Sequence, residues 1–105
     1  MLVEMVERRG ELRGLARGVE VAIGELAAAP AVEMSRKGVF VALSEPDSFP
    51  LGKMCSIAVI ARERRFSCRA EVVRKELEPR CGIALRIDSI SPEDEAVLLA
   101  MLDAL

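Results

Sequence analysis

The chain has 105 residues, of which 51% are hydrophobic and 30% charged, and its formal net charge is −2. This length predicts a single domain and leaves no room for a separate catalytic domain. The slightly negative charge argues against a general binder of nucleic acids or of anionic membranes, because such proteins usually present a net basic surface. An anionic ligand would therefore need a local cluster of arginine and lysine side chains.

Nothing in the sequence predicts export or membrane insertion. Residues 1–7 include acids where a signal peptide has a basic segment, and no run reaches the roughly 18 apolar residues of a membrane span. Cys55, Cys68 and Cys81 have no CxxC spacing, so we expect buried free thiols and no disulfide framework. The sequence thus predicts a cytoplasmic protein.

Strand patterns follow a charge-rich beginning. Residues 1–15 are predicted to form a flexible arm, with a short helix over the first eleven as the alternative. Residues 16–105 then carry five strand patterns and a possible sixth, joined by short polar turns. The five clear strands are predicted at 19–23, 39–43, 55–59, 66–72 and 81–87, and the sixth at 31–34. This series predicts a mainly β domain, either an antiparallel barrel or a sandwich.

The last segment changes to a helical period. Ser91 is a typical N-cap, and Pro92 suits the first helical position. Leu98, Met101, Leu102 and Leu105 then form one apolar stripe, so we expect the helix to cover the sheet. The predicted core consists of the inward residues of these elements: Val21, Ile23, Val41, Ile57, Val59, Phe66, Cys68, Val72, Ile83, Leu85, Leu98 and Leu102.

The sequence gives little support for catalysis. It contains no histidine, which removes the commonest general base and the commonest zinc ligand. No nucleophile or phosphate-loop motif is present, and three phenylalanines are the only aromatic residues. We therefore expect a binding protein with no enzymatic activity, no metal and no resident cofactor.

Two polar clusters are the candidate binding residues. The first, at 8–13, contains Arg8, Arg9 and Arg13, whose guanidinium groups suit phosphates. The second, at 33–38, contains Glu33, Ser35 and Gly38: a carboxylate and a hydroxyl that can read a base edge, and a glycine that permits close approach. The alternative to a binding role is that the first cluster is an ordinary solvated charge cluster and that the second is a polar hairpin turn.

The two clusters together resemble the PilZ family, whose members carry an RxxxR motif before a barrel and a (D/N)xSxxG motif on a following strand. Here Arg9-Gly10-Glu11-Leu12-Arg13 matches the first, and Glu33-x-Ser35-x-x-Gly38 is similar to the second. Four later segments follow the family's order, so the resemblance covers roughly residues 8–105. These segments are Phe49-Pro50-Leu51-Gly52, Cys68-Arg69-Ala70-Glu71-Val72-Val73-Arg74, Gly82-Ile83-Ala84-Leu85 and Ser91-Pro92-Glu93-Asp94.

The resemblance implies a six-stranded antiparallel β-barrel with a C-terminal helix, acting as a bacterial cytoplasmic signalling receptor for cyclic di-GMP. It implies that Arg8, Arg9 and Arg13 grip the ligand from the arm, and that the strand bearing Ser35 and Gly38 contacts a guanine. It also implies a protein partner, whose identity the sequence does not give.

Two alternatives remain at this point. Arg13 and Arg17 have the same RxxxR spacing as Arg9 and Arg13, although the latter pair leaves more chain for the first strand. Glu33 stands where the family has Asp or Asn. This difference favours the alternative function, a PilZ-like adaptor that binds no nucleotide and acts through protein contacts alone.

Overall fold

The computed structural model describes residues 14–105, which form seven strands and one helix. A 3₁₀ turn, Pro46–Ser48, follows the fourth strand. The strands and the helix, in chain order, are β1 (Gly14–Leu15), β2 (Val19–Ile23), β3 (Ala29–Met34), β4 (Gly38–Ala42), β5 (Met54–Ala61), β6 (Arg64–Glu76), β7 (Gly82–Ser89) and α1 (Pro92–Asp103).

Six of these strands close into an antiparallel barrel. Their order is β3-β2-β5-β6-β7-β4, and β4 pairs again with β3 to complete the ring. The two-residue β1 pairs with the end of β3, on the same edge that β2 uses at the beginning of β3. The expectation of a mainly β, six-stranded barrel with a C-terminal helix is confirmed, and the sandwich alternative is wrong.

The barrel interior holds nearly all the residues predicted for the core. Every one of them is buried except Leu102, which is half-buried at the edge of the cluster. Val21, Val41, Val72 and Ile83 are completely inaccessible, at 0% exposure. Alternation therefore assigned the inward-facing residues of each strand correctly, since a shift of one residue would have exposed those side chains to solvent.

Of the predicted strands only β2 has both boundaries unchanged, and two of the differences bear on particular residues. The turn between β5 and β6 contains only Arg62 and Glu63, because β6 begins at Arg64 and runs to Glu76. Strand β7 begins at Gly82, so Cys81 lies before it and is exposed, and its expected burial was wrong. Cys55 and Cys68 are buried as expected.

Helix α1 lies across the barrel with Leu98 and Met101 in the core. Its N-cap is Ser91, whose hydroxyl oxygen accepts a hydrogen bond from the Asp94 N–H at 3.0 Å. The predicted apolar stripe ends early, because Leu105 follows the helix and is exposed. Within residues 14–105, α1 is not long and apolar enough to cross a membrane.

Candidate ligand-binding site

A β-bulge in β3 determines where Glu33 points. The pairing of β3 with β4 shifts between Ala31 and Glu33, which makes Val32 the extra residue. In a regular strand Ala31 and Glu33 would face the same way. Because the bulge reverses the alternation, Ala31 and Met34 both face the core, whereas Glu33 faces outward.

A second bulge, in β6, has the same effect on an arginine. The pairing of β6 with β7 shifts between Val72 and Arg74, so Val73 is the extra residue. Val72 stays in the core, and Arg74 lies on the outer surface with its side chain 54% exposed. The two bulges therefore place the carboxylate of Glu33 and the guanidinium of Arg74 on the same outer face of the barrel.

This outer face carries a row of side chains across four strands. Glu33 pairs with Phe40, Phe40 with Ala84, and Ala84 with Arg74, from β3 through β4 and β7 to β6. A shallow hollow of about 240 Å³ lies along the row, and all four residues line it. Arg86, paired with Glu71, lies at its rim.

The β3–β4 turn contributes Ser35 to the same hollow. The Ser35 backbone N–H donates to the Gly38 carbonyl at 2.9 Å, and its side-chain oxygen accepts from the Lys37 N–H at 3.1 Å. Residues 35–38 therefore form the polar hairpin turn that the sequence analysis gave as the alternative to a binding role. The Ser35 oxygen thus acts as an acceptor within the turn, and the residue is buried, at 8% exposure.

Gly38 has a steric role in closing the barrel. A Cβ atom on Gly38 would clash with the backbone carbonyl oxygen of Leu85 and come within 3.3 Å of the Arg86 Cα. Gly38 is the Cα partner of Arg86 in the β4–β7 ladder, so the clash would fall on a barrel-closing pair. Strands β4 and β7 approach this closely only because the residue has no side chain.

Arg80, in the loop before β7, contacts two residues of the row, Glu33 and Phe40, although it is not among the residues that line the hollow. Its Nη1 atom lies 3.0 Å from Oε2 of Glu33, and its Nη2 atom donates to Oε2 of Glu76 at 3.0 Å. The guanidinium lies over Phe40, with the Cζ atom 4.1 Å from the ring centroid. Phe40 is only 3% exposed although it faces outward, which shows how closely it is covered.

The ionised side chains around Arg80 stabilise one another through ion pairs and hydrogen bonds. Glu76 also accepts a hydrogen bond from Arg74 at 3.0 Å. The hydrogen bond from Arg80, together with that from Arg74, lowers the pKa of the Glu76 carboxyl. The same hydrogen bond to Glu76 raises the pKa of Arg80. Arg74, Glu76, Arg80 and Glu33 therefore form a chain of alternating charges along the outer face.

The structure brings Glu33, Ser35 and Gly38 together around the hollow. Arg8, Arg9 and Arg13 lie outside the described residues, as does most of the arm predicted for residues 1–15. The described chain begins directly after Arg13, where Gly14 pairs with Met34 and Leu15 with Glu33. Arg17 lines other depressions of the surface, next to Arg62.

Sequence reasoning missed Phe40 and Arg80 as site residues. A signal for Phe40 was available: Val39 and Val41 face the core, so the aromatic residue between them must face outward. Arg80 gave no comparable signal, because a loop residue has no periodicity from which its direction can be read. Over residues 14–105 no group of acids and cysteines is arranged to hold a metal ion.

No protein-family model matches the chain, and no curated protein does. Solved structures do match it. That of the Inhibitor of motility (MotI/DgrA) from Bacillus subtilis has a TM-score of 0.75 and 22% identity, covering 94% of this chain and 51% of that one. The crystal structure of an uncharacterized Legionella protein has a TM-score of 0.61 and 17% identity, covering 90% of both chains.

These likenesses concern the fold. At such identities they show the fold alone, a six-stranded antiparallel barrel with a C-terminal helix, which is the fold that the resemblance noted in the sequence implies. The chain spans about half the length of the Bacillus subtilis protein.

Proposed function

We propose that this chain is a cytoplasmic, non-enzymatic receptor of the PilZ family that binds cyclic di-GMP on the outer face of β3, β4 and β7. One observation carries the proposal: a bulge and a tight turn bring Glu33, Ser35 and Gly38 to one hollow. These are the residues of the second motif, and the described chain begins beside them immediately after Arg13.

The chemistry of the ligand suits these groups. Guanine offers N–H donors on its Watson–Crick edge, and the Glu33 carboxylate is an acceptor. The two phosphates of the ligand suit the guanidinium groups of Arg8, Arg9 and Arg13, which bind phosphate with two parallel hydrogen bonds. Arg74 and Arg86 also line the hollow, where each is ion-paired with a glutamate, Glu76 and Glu71 respectively.

The size of the hollow supports a role for the N-terminal arginines. Its volume of about 240 Å³ lies below the roughly 300–1,000 Å³ of typical ligand pockets. A cyclic dinucleotide would therefore need contacts from outside the hollow. We propose that the arginines before Gly14 provide them, because Gly14 pairs with Met34 beside the hollow. Because Arg17 lines other depressions, we prefer Arg9 and Arg13 to Arg13 and Arg17 as the RxxxR pair.

We further propose that ligand binding is passed to a bacterial protein partner. The Bacillus subtilis neighbour is named an inhibitor of motility, and a partner of comparable kind is our expectation for this chain. The main alternative is an adaptor that binds no nucleotide. The ion pair between Glu33 and Arg80 favours it, because the carboxylate that a guanine would need already has a donor.

Calorimetric titration of the full chain with cyclic di-GMP tests the proposal. We expect saturable binding in the native protein, and its loss in the Arg9→Ala/Arg13→Ala variant with little change in melting temperature. Each charge-assisted contact contributes roughly 1.5–3 kcal/mol, so losing two should weaken binding beyond detection. Arg64→Ala/Arg65→Ala removes the same charge at exposed positions outside the hollow and should still bind. Equal affinity in both double variants would contradict the proposed arm contacts.

A further inference from the structure

Arg80 makes the contacts that a guanine base would need at this site. Its guanidinium is flat, lies 3.0 Å from the Glu33 carboxylate as an ion pair, and has its Cζ atom 4.1 Å from the centroid of the Phe40 ring. The Watson–Crick edge of guanine is also flat, carries N–H donors at N1 and N2, and its base stacks on aromatic rings. The two groups present the same chemistry to Glu33 and Phe40.

We infer that Arg80 determines ligand affinity and specificity by competing with guanine for the Glu33 carboxylate and the face of Phe40. This inference rests on the proposed function and concerns the same site. A base that reaches the Phe40 ring must first move Arg80 aside, because the ring is only 3% exposed. Part of the binding free energy is therefore used to displace an internal side chain.

The second contact of Arg80 limits the cost of that displacement. Its Nε and Nη2 atoms donate to Glu76 at 3.3 and 3.0 Å, and neither Arg80 nor Glu76 is among the residues that line the hollow. Arg80 can therefore give up Glu33 and keep Glu76, so its charge stays paired while the ligand enters. Competition of this kind weakens binding but does not abolish it.

The expected size of the effect follows from the two contacts that are lost. The side chains of Arg80 and Glu33 are 30% and 34% exposed, so solvent screens the pair and its contribution is modest. Cation–π contacts at exposed sites are of similar size. Removing Arg80 should therefore tighten cyclic di-GMP binding about 5- to 30-fold, which corresponds to roughly 1–2 kcal/mol.

The test is titration of the full-length native chain, Arg80→Ala and Arg65→Ala with cyclic di-GMP at one salt concentration. Loss of a positive charge should weaken attraction to a dianion, and Arg65→Ala measures that trend at an exposed position outside the hollow. A gain in Arg80→Ala therefore runs against the charge effect. Arg80→Lys is the second variant, because lysine keeps the positive charge and most of the aliphatic chain but lacks the planar guanidinium group. Its affinity for cyclic di-GMP should rise less than that of Arg80→Ala.

Cyclic di-AMP provides the ligand control. The Watson–Crick edge of adenine carries an acceptor at N1, which a carboxylate repels, beside a single amino donor, whereas its face can stack on an aromatic ring as guanine does. Arg80→Ala should therefore gain less for cyclic di-AMP than for cyclic di-GMP. Equal or weaker cyclic di-GMP binding by Arg80→Ala than by the native chain overturns the inference, as does an equal gain for both ligands. If the native chain binds and Arg80→Ala gains nothing, the inference alone fails. If no protein binds, the proposed function fails with it.

Discussion

The Nη1 atom of Arg80 lies 3.0 Å from the Oε2 atom of Glu33, and this contact joins the bulge of β3 to the loop that precedes β7. It places an arginine from late in the chain against the first residue of the motif that resembles a nucleotide-binding strand. The state of this single ion pair separates the two candidate functions: a receptor must open it for a ligand, whereas an adaptor can keep it closed.

Leu85 should be essential to the barrel. It is 2% exposed and pairs in register with Val39 of β4 and Val72 of β6. Leu85→Ala should lower the free energy of unfolding by about 2–5 kcal/mol, through lost burial and the cavity left behind. Urea denaturation measures this, with Leu51→Ala, at a position 61% exposed, as the control expected within about 0.5 kcal/mol of native. Similar losses in both variants would show that Leu85 does not face the interior.

Gly38→Ala should destabilise the fold whether or not a ligand binds. The added methyl group would clash with the Leu85 carbonyl oxygen, which is backbone and cannot rotate away. Overpacking of this kind costs about 1–3 kcal/mol. Arg36→Ala, at an exposed position in the same turn, should melt at nearly the native temperature. A Gly38→Ala protein as stable as the native one would show that β4 and β7 can separate locally.

Local pattern was sufficient to predict most of the barrel. Alternation put Val21, Val41, Val72 and Ile83 on the inward face because each lies in a stretch of regular strand. The N-cap of α1 was predictable for a similar reason: Ser91 followed by Pro92 is a signal contained in neighbouring residues.

The geometry of the candidate site was not predictable in the same way. If β3 alternated strictly from Ala31, Glu33 would point into the core. If β6 alternated strictly from Val72, Arg74 would also point inward. Bulges at Val32 and Val73 reverse both directions, and a bulge depends on the partner strand as much as on its own sequence. The contact of Arg80 with Glu33 joins residues distant in the chain, so only tertiary structure reveals it.

The three thiols should differ in reactivity. Burial, with a smaller contribution from the nearby Asp94 charge, raises the pKa of the Cys68 thiol to about 11, so it stays protonated near neutral pH. Cys55 is also buried, whereas Cys81 is exposed. An aromatic disulfide reagent at about pH 8 should therefore modify Cys81 rapidly and the other two only on unfolding. Cys81→Ser should remove the rapid phase and Cys68→Ser should leave it; a rapid phase that persists in Cys81→Ser would contradict this assignment.

Glu76 should make stability depend on acidity. Its pKa is lower in the folded protein, chiefly through the hydrogen bond from Arg80, so the unfolded chain binds its proton first as the pH falls. The contribution of Glu76 is thus complete above the ordinary glutamate value of 4.5 and is lost as the pH falls through the lower, folded-state value.

Urea denaturation of the native chain and of Glu76→Gln at several pH values checks this. The native protein should be the more stable near pH 7, and the difference should shrink as the pH falls below the ordinary glutamate value of 4.5 and through the lower, folded-state value. Glu25→Gln, at an exposed position, is the control and should follow the native curve. A difference between native and Glu76→Gln that is constant with pH would rule out the ionised Glu76 as its source.

The most direct test of the central claim, that a guanine of cyclic di-GMP binds at residue 33, is a matched calorimetric titration of the native chain and Glu33→Asp. Aspartate keeps the carboxylate but draws it back by about 1 Å, and so restores the residue of the PilZ motif. It also moves the carboxylate away from Arg80, now 3.0 Å distant. Both titrations need the same salt concentration because the ligand is a dianion. We predict weak saturable binding by the native chain, strengthened by about 1–3 kcal/mol in Glu33→Asp. No heat of binding from either protein would contradict the claim and favour the adaptor.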